Sequence, residues 1–412
     1  MRQRSRCAVV TIGALLGVLA ASSARAAPCD DLSADGQNRA IPVIWVENGD
    51  TQEPLIKRLG KQLMQTTGQT LRIIYRNRPT CELAQNFYTT RDLSAVAGRP
   101  IRYIPEDPAF NPAVDAAITC DAPATPPSLM LAIGATLLSS CTTLSAKPAD
   151  TVVVNGPNQA YGFIVNKASA QVAITAEEGY LAFGFTGGTG NATPWLDQTL
   201  RFTRGNTAST TLTTSANIGL TAAQMLVGAA PLVMTSTMII TNVEQNDAQS
   251  SIGALGGDLY DANRDKVKML AFKGFRQRYA YFPDASSTSF DKQNVRDGHY
   301  LPWSSTPYIY VQGVGGPADP TVKRVVDLVF GNAVETDVNG LLSVAQSGLV
   351  PQCAMKVKRE FDGSDLSLFD PEVPCGCFYE KSVPQGASAC TVCQNDTPCG
   401  TGKCRFGFCE AK

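Results

Sequence analysis

Cysteine thiols are the most concentrated reactive groups in this sequence. Seven of the thirteen cysteines, Cys375, Cys377, Cys390, Cys393, Cys399, Cys404 and Cys409, crowd into residues 375–412, whereas the stretch from Cys141 to Cys353 has none between its ends. Two thiolates two residues apart, as in Cys390-Thr391-Val392-Cys393, suit a tetrahedral zinc site. The same density in an oxidising compartment gives disulfides. The only histidine, His299, lies far from these thiols in the sequence, and the N-terminus reads as an export signal, so disulfides are the expectation. Other reactive constellations are missing from the sequence: there is no Gly-x-Ser-x-Gly elbow, no Walker-type glycine loop and no His-Glu-x-x-His. A single histidine cannot be both a general base and a metal ligand set. Asp258, Asp261 and Asp265 lack the spacing, central glycine and closing glutamate of a calcium loop and read as a solvated turn. A non-catalytic protein without cofactor or metal is expected.

Arg2, Arg4 and Arg6 precede an apolar run over 7–21, and Ala24-Arg25-Ala26 is a small-x-small cleavage site. Residues 1–26 therefore read as a signal peptide and the product as periplasmic or secreted. Cys29 follows Pro28 rather than the small residues of a lipid-attachment site. Cleavage would remove Cys7 and leave twelve cysteines. Cys29, Cys81, Cys120 and Cys141 pair most simply among themselves, which leaves Cys353 to tie the C-terminal group to the body. Connectivity within each group stays open. A formal charge of −1 argues against nucleic acid or an anionic membrane as partner, and no later apolar run has the length of a membrane span.

The elements that would position a site follow from periodicity. Ile41 to Val46 is an apolar strand, Asn48-Gly49-Asp50-Thr51 a turn, and Leu55, Ile56, Leu59, Leu63 and Met64 recur at helical spacing. Asp50 with Glu53 has the pattern of a capping box. A second strand covers Leu71–Tyr75, followed by the turn Asn77-Arg78-Pro79-Thr80 and a short helix from Cys81 to Phe87. Strand, helix, strand implies parallel pairing in an α/β layer. Thr151 to Lys167 reads as two extended stretches broken at Asn155-Gly156-Pro157. Thr175 and Thr221 open capping boxes, and the hydroxyl run Thr207–Ser215 is either a helix start or a solvated strand or linker. Pro307–Gln312 is a strand, and Asp319, Pro320 and Gly331 punctuate a helix of clear amphipathic pattern.

Taken in order, these pieces resemble the periplasmic phosphate-binding protein family over residues 38 to 350. The matching segments are Asn48-Gly49-Asp50-Thr51, Tyr75 to Cys81, Arg204-Gly205-Asn206-Thr207-Ala208-Ser209-Thr210-Thr211, and Asp297-Gly298-His299-Tyr300-Leu301-Pro302-Trp303. The resemblance implies an α/β, two-lobed, type 2 periplasmic-binding-protein-like fold with a small disulfide-rich tail. Lobe 1 would span 27–155 and 303–352, lobe 2 156–302, and the tail 353–412. It also implies a monomer that holds a small anion or polar solute in an interlobe cleft for a transporter permease. The contacts carried over are Gly49, Asp50, Thr51, Thr80, Arg204, Thr207, Ser209 and Thr210, because helix N-termini, hydroxyls and an arginine fork hold oxyanions.

The departures bear on specificity. Asp50 stands where the family has a small hydroxyl residue, Pro79-Thr80-Cys81-Glu82 replaces a Ser/Gly-rich loop, and Ala208-Ser209-Thr210 replaces Ser-Gly-Thr. Carboxylates at these places repel a dianion. The expectation is a solute-binding protein that has lost phosphate specificity; the alternative is a secreted or surface interaction protein that keeps the scaffold without the ligand.

Overall fold

A computed structural model describes residues 28–29, 41–66, 68, 70–185, 192–227 and 235–410. The expected signal peptide, 1–26, lies outside them.

In lobe 1, β1 (Val43–Asn48) leads through α1 (Glu53–Gln65) to β2 (Arg72–Asn77), which pairs with β1 in parallel from Val43↔Arg72 to Asn48↔Asn77. The apolar stripe of α1 (Leu55, Ile56, Leu59, Leu63) is buried against Ile44, Val46 and Ile73. At Gly60 a Cβ would stand 2.7 Å from Ile104 Cγ1, so only glycine lets the helix lie this close. Helix α2 (Thr80–Tyr88) covers the opposite sheet face with Leu83, Ala84 and Phe87. Strands β3 (Ile101–Tyr103) and β4 (Ile118–Cys120) extend the sheet antiparallel on one side, and β5 (Leu131–Ile133) lies parallel to β1 on the other.

Strand β6 (Thr151–Asn166) then carries the chain into lobe 2. There it is followed by β7 (Ala173–Thr175), α3 (Ala176–Gly184), β8 (Arg201–Phe202), α4 (Ser209–Asn217), α5 (Ala222–Val227), α6 (Ser236–Gln245), β9 (Ile252–Gly256), α7 (Gly257–Asp261), β10 (Val267–Met269), β11 (Ala271–Lys273) and α8 (Gln293–Arg296). The Thr175–Glu178 capping box forms, as does the reciprocal Thr221–Gln224 pair. Strand β12 (Trp303–Gly313) returns to lobe 1 antiparallel to β6, from Ala160↔Trp303 to Thr151↔Val311, with a register break between Ser305 and Pro307. The strand order β4-β3-β2-β1-β5-β12-β6-β9-β8 runs through both lobes, so β6 and β12 are the two crossing strands.

The break expected at residues 155–157 does not end β6. Thr306 Oγ1 donates to the Pro157 carbonyl (2.8 Å), and the Tyr308 ring covers Gly156, where a Cβ would meet Cε2 at 2.4 Å. The irregularity is a bulge on β6 itself, where Gly156 and Pro157 together stand opposite Thr306 of β12 between the pairs Asn158↔Ser305 and Asn155↔Pro307. After β13 (Gly316–Pro317), α9 (Pro320–Phe330) is capped by Asp319, whose carboxylate accepts from Thr321 N and Val322 N, and stopped by left-handed Gly331; α10 (Gly340–Gln346) packs beside it.

The tail is not a free-standing appendage. Cys353–Cys375 holds it to the chain where it leaves the body, and Val357, Cys375, Tyr379 and Val383 are buried in the same core as Val295 and Tyr300 of lobe 2 and as Trp303, which opens β12. It contains the hairpin β14 (Val357–Lys358) and β15 (Ser367–Leu368), α11 (Gly376–Ser382), and the hairpin β16 (Lys403–Arg405) and β17 (Phe408–Glu410). Cys377–Cys390, Cys393–Cys404 and Cys399–Cys409 staple the distal part, and Cys29–Cys120 and Cys81–Cys141 staple lobe 1. Cys390 and Cys393 are thus spent in different bonds, which removes the zinc alternative. Among the described residues no helix is long and apolar enough to cross a membrane.

Candidate functional site

The carboxyl end of β1 meets lobe 2 through the turn that carries Asp50. Asn48 Nδ2 donates to Gly49 O (2.8 Å) and Asn77 Oδ1 (2.9 Å), which locks the turn to the end of β2. Gly49 N donates to Ile133 O (2.9 Å), and a Cβ there would stand 2.9 Å from Ala135 Cβ, so the close approach needs glycine. The expected Asp50–Glu53 capping box is not formed. Glu53 accepts instead from Tyr75 OH (2.7 Å) and Asn77 Nδ2 (2.5 Å), and Asp50 turns to Arg204 of lobe 2 (2.5 Å). A charged tertiary partner outcompetes a local amide because charge-assisted bonds are the stronger.

Thr80, at the start of α2, is buried with its hydroxyl accepting from Ala135 N (2.9 Å), so it fastens the 134–136 turn behind the cleft. In lobe 2, Ala208 caps α4, Ser209 and Thr210 form its first turn and are buried, and Thr207 is exposed. The hydroxyl run is a helix, not a solvated strand: Thr211 Oγ1 donates to Arg204 O (2.9 Å) and Thr214 Oγ1 to Thr210 O (2.6 Å). The Thr214 bond is back-bonding within the helix, whereas the Thr211 bond ties the helix to Arg204 before it. Asp50, Thr51, Arg204 and Ser209 therefore meet at the lobe interface, whereas Thr80 is set behind it and Thr207 faces solvent.

The centre is filled by side chains that motif reasoning missed. Tyr161 of β6 is fully buried, and its hydroxyl donates to Ala135 O of lobe 1. Burial pushes the phenol up, while the Ser209 and Thr51 hydroxyls beside it pull the other way. Thr51 packs against Gly256, where a Cβ would stand 3.1 Å from Thr51 Cγ2 and 2.5 Å from Asp258 Oδ1.

Asp258 is buried, not part of a solvated turn. Its Oδ1 accepts from Gln159 Nε2 (3.2 Å), and its Oδ2 has no hydrogen-bond partner among the described residues. Gln52 Oε1 and Gln159 Oε1 are likewise buried without partners. Asp261 is also no turn acid: it accepts from Lys292 Nζ (2.7 Å) and Arg264 Nη2 (2.5 Å), with Asp284 completing a buried network. Only Asp265 is exposed. His299 lies stacked on Tyr281 at the surface, 5.0 Å between ring centres.

Burial raises the Asp258 carboxyl well above its ordinary value, and the Asp50 charge adds to the effect. The fold thus favours the neutral acid: this stabilisation is present in full below the ordinary carboxyl pKa and is lost as pH rises through the raised one. Asp258→Asn should accordingly flatten the fall of stability between acid and neutral pH, measured by denaturant unfolding across that range. An unchanged pH profile would show that Asp258 ionises at no cost.

Comparison with known proteins gives structural neighbours. No protein-family model and no curated protein matches the chain. Among solved structures, a putative phosphate ABC transporter substrate-binding protein from Clostridium perfringens, with bound phosphate, is 13% identical with a TM-score of 0.47, covering 75% of this chain and 99% of its own. An ABC-type phosphate transport receptor from Vibrio cholerae is 12% identical with a TM-score of 0.45, covering 74% and 99%. The reduced OxyR regulatory domain from Pseudomonas aeruginosa is 11% identical with a TM-score of 0.36, covering 69% and 95%.

Proposed function

We propose that this chain is an exported, two-lobed solute-binding protein whose cleft takes a small polar molecule other than a phosphate dianion. One observation carries the reading: the guanidinium of Arg204, placed to clamp an oxyanion, is already paired across the cleft with the protein's own Asp50 at 2.5 Å. A dianion would have to displace Asp50 and then sit beside its carboxylate. The buried acceptors Gln159 Oε1 and Gln52 Oε1 suit a ligand that brings hydrogen-bond donors, such as a polyol or an amine. The six disulfides fit an oxidising compartment, and a transporter permease is the partner such a role requires.

Tyr161 favours a second reading. Its ring and hydroxyl fill the centre of the interface, as expected of a scaffold kept for protein contacts after ligand binding is lost.

Thermal unfolding against phosphate, sulfate, polyols, amines and amino acids decides between them. Stabilisation by a neutral or amine-bearing compound with none by phosphate supports the first reading, because a ligand at 100 times Kd adds about 2.7 kcal/mol. No response to any compound supports the second. A phosphate response in the unaltered protein overturns the exclusion of the dianion.

A further inference from the structure

The loop of the β14–β15 hairpin, residues 359–366, begins and ends on lobe 2, with Arg359 over Trp303 and Leu366 against Gly298, and touches lobe 1 between them at Asp362. Its base belongs to lobe 2: Lys356 N donates to Arg296 O (3.0 Å), Phe369 N donates to Lys356 O (2.9 Å), and Val357 packs over Gly298. The Cys353–Cys375 bond closes the segment that carries it. Arg359 then lies over the Trp303 ring, 4.3 Å from its centre, with Nη1 donating to Trp303 O (3.2 Å). Asp362, 7% exposed, makes the crossing: Oδ2 accepts from Thr136 Oγ1 (2.6 Å) and Ser140 Oγ (2.5 Å), both of lobe 1. Thr136 Oγ1 is in turn 2.9 Å from Thr213 Oγ1 of α4, and Leu137 N donates to Ser304 Oγ (2.9 Å). Gly363 turns the tip with φ 78° where a Cβ would stand 2.8 Å from Ala216 O, so the loop fits against lobe 2 only as glycine.

A buried carboxylate is stabilised only while its donors surround it. Rotation of the lobes about β6 and β12 would draw Thr136 and Ser140 away from Asp362 and strip the buried Oδ2 of both donors. Beside these bonds lies a half-open cavity of about 670 Å³, lined from both lobes and the tail by Ser139, Ser140, Asn206, Thr207, Phe361 and Asp362. The Ser140–Asp362 bond thus borders this cavity.

We propose that the hairpin is an interlobe latch, carried on lobe 2, with Asp362 as its bolt and Thr136 and Ser140 as its catch, and that it governs how often the cleft opens. The inference rests on the two-lobed hinge reading but on no ligand, so its test needs none.

Hydrogen exchange of the full-length, oxidised protein, read on peptides covering 131–141 and 300–308, measures opening directly. Asp362→Ala should raise exchange in both peptides about tenfold or more, because it removes both hydrogen bonds that cross to lobe 1, while amides of the β1–β2 pair keep their protection. Asp362→Asn, which keeps the size and one acceptor, should give a smaller rise in the same two peptides and serves where the alanine variant does not fold. Unchanged exchange in a variant with native circular dichroism would overturn the latch. So would a rise spread evenly over both lobes, which would mark Asp362 as a general stabiliser.

Discussion

Replacing Asp50 by serine will make the cleft responsive to phosphate. In the native protein Asp50 lies against the Arg204 guanidinium, which also donates to Ser236 Oγ (2.5 Å). The serine variant frees that guanidinium, removes one negative charge from the approach, and supplies a hydroxyl at the start of the turn before α1. A carboxylate about 4 Å from an anion opposes it by about 4 kcal/mol at an effective dielectric of about 20. The Asp50 side chain is 38% exposed, and solvent screening reduces this to a gain of roughly tenfold to a hundredfold in affinity. Calorimetric titration of phosphate into the two proteins checks the result. The double variant Asp50→Ser, Arg204→Ala should lose the response again, and a phosphate response that survives it would place the anion elsewhere.

Glu47→Ala should be the most destabilising single change near the cleft. Glu47 and Arg76 are both fully buried and ion-paired, Arg78 reaches Glu47 Oε1 at 3.2 Å, and Asn86 Nδ2 donates to Glu47 Oε2 (2.9 Å). Removing the carboxylate strands the Arg76 guanidinium in the lobe 1 interior, and breaking a buried pair in this way costs about 3–5 kcal/mol. Glu47 also adjoins Asn48 and Gly49, so the loss disturbs the turn that presents Asp50. Denaturant unfolding followed by far-ultraviolet circular dichroism measures the loss. The double change Glu47→Leu, Arg76→Met should recover most of it, because an apolar pair of similar volume avoids the desolvation cost; no recovery would mean that Arg76 acts through its contact with Ser94 rather than through Glu47.

Much of the scaffold was legible in local sequence. The stripe Leu55, Ile56, Leu59, Leu63 and the caps at Asp319 and Gly331 are decided within a turn or two of helix, and the structure has them where periodicity put them. The four N-terminal cysteines do pair among themselves, and Cys353 does hold the tail where the chain leaves the body. What escaped was decided by partners remote in the chain. Asp50 and Glu53 have the spacing of a capping box, yet each has a tertiary partner that binds it more strongly than the local amide would. Asp258 and Asp261 look like turn acids until Gln159, Lys292 and Arg264 are brought beside them. Tyr161 lies in an apolar strand run where nothing marks it as the residue that reaches across to Ala135. Asp362 belongs to a segment read only as cysteine-rich tail, and its role appears once the hairpin is seen to point back at lobe 1.

The place of β12 in the sheet has a consequence for the order in which the molecule can assemble. It lies between β5 and β6, pairing Leu131 with Tyr310 and Thr151 with Val311, although almost the whole of lobe 2 separates it from them along the chain. For a chain made from its N-terminus, the middle of the sheet is the part that arrives late, and lobe 2 waits longer still for Cys375 and Tyr379 to close its core. Contacts this distant in sequence slow folding, and until they form β5 and β6 each present an open edge on which another chain can pair. The nascent chain thus passes through a stage whose exposed surface is that of an aggregation template, and its safe passage depends on residues at the far C-terminal end.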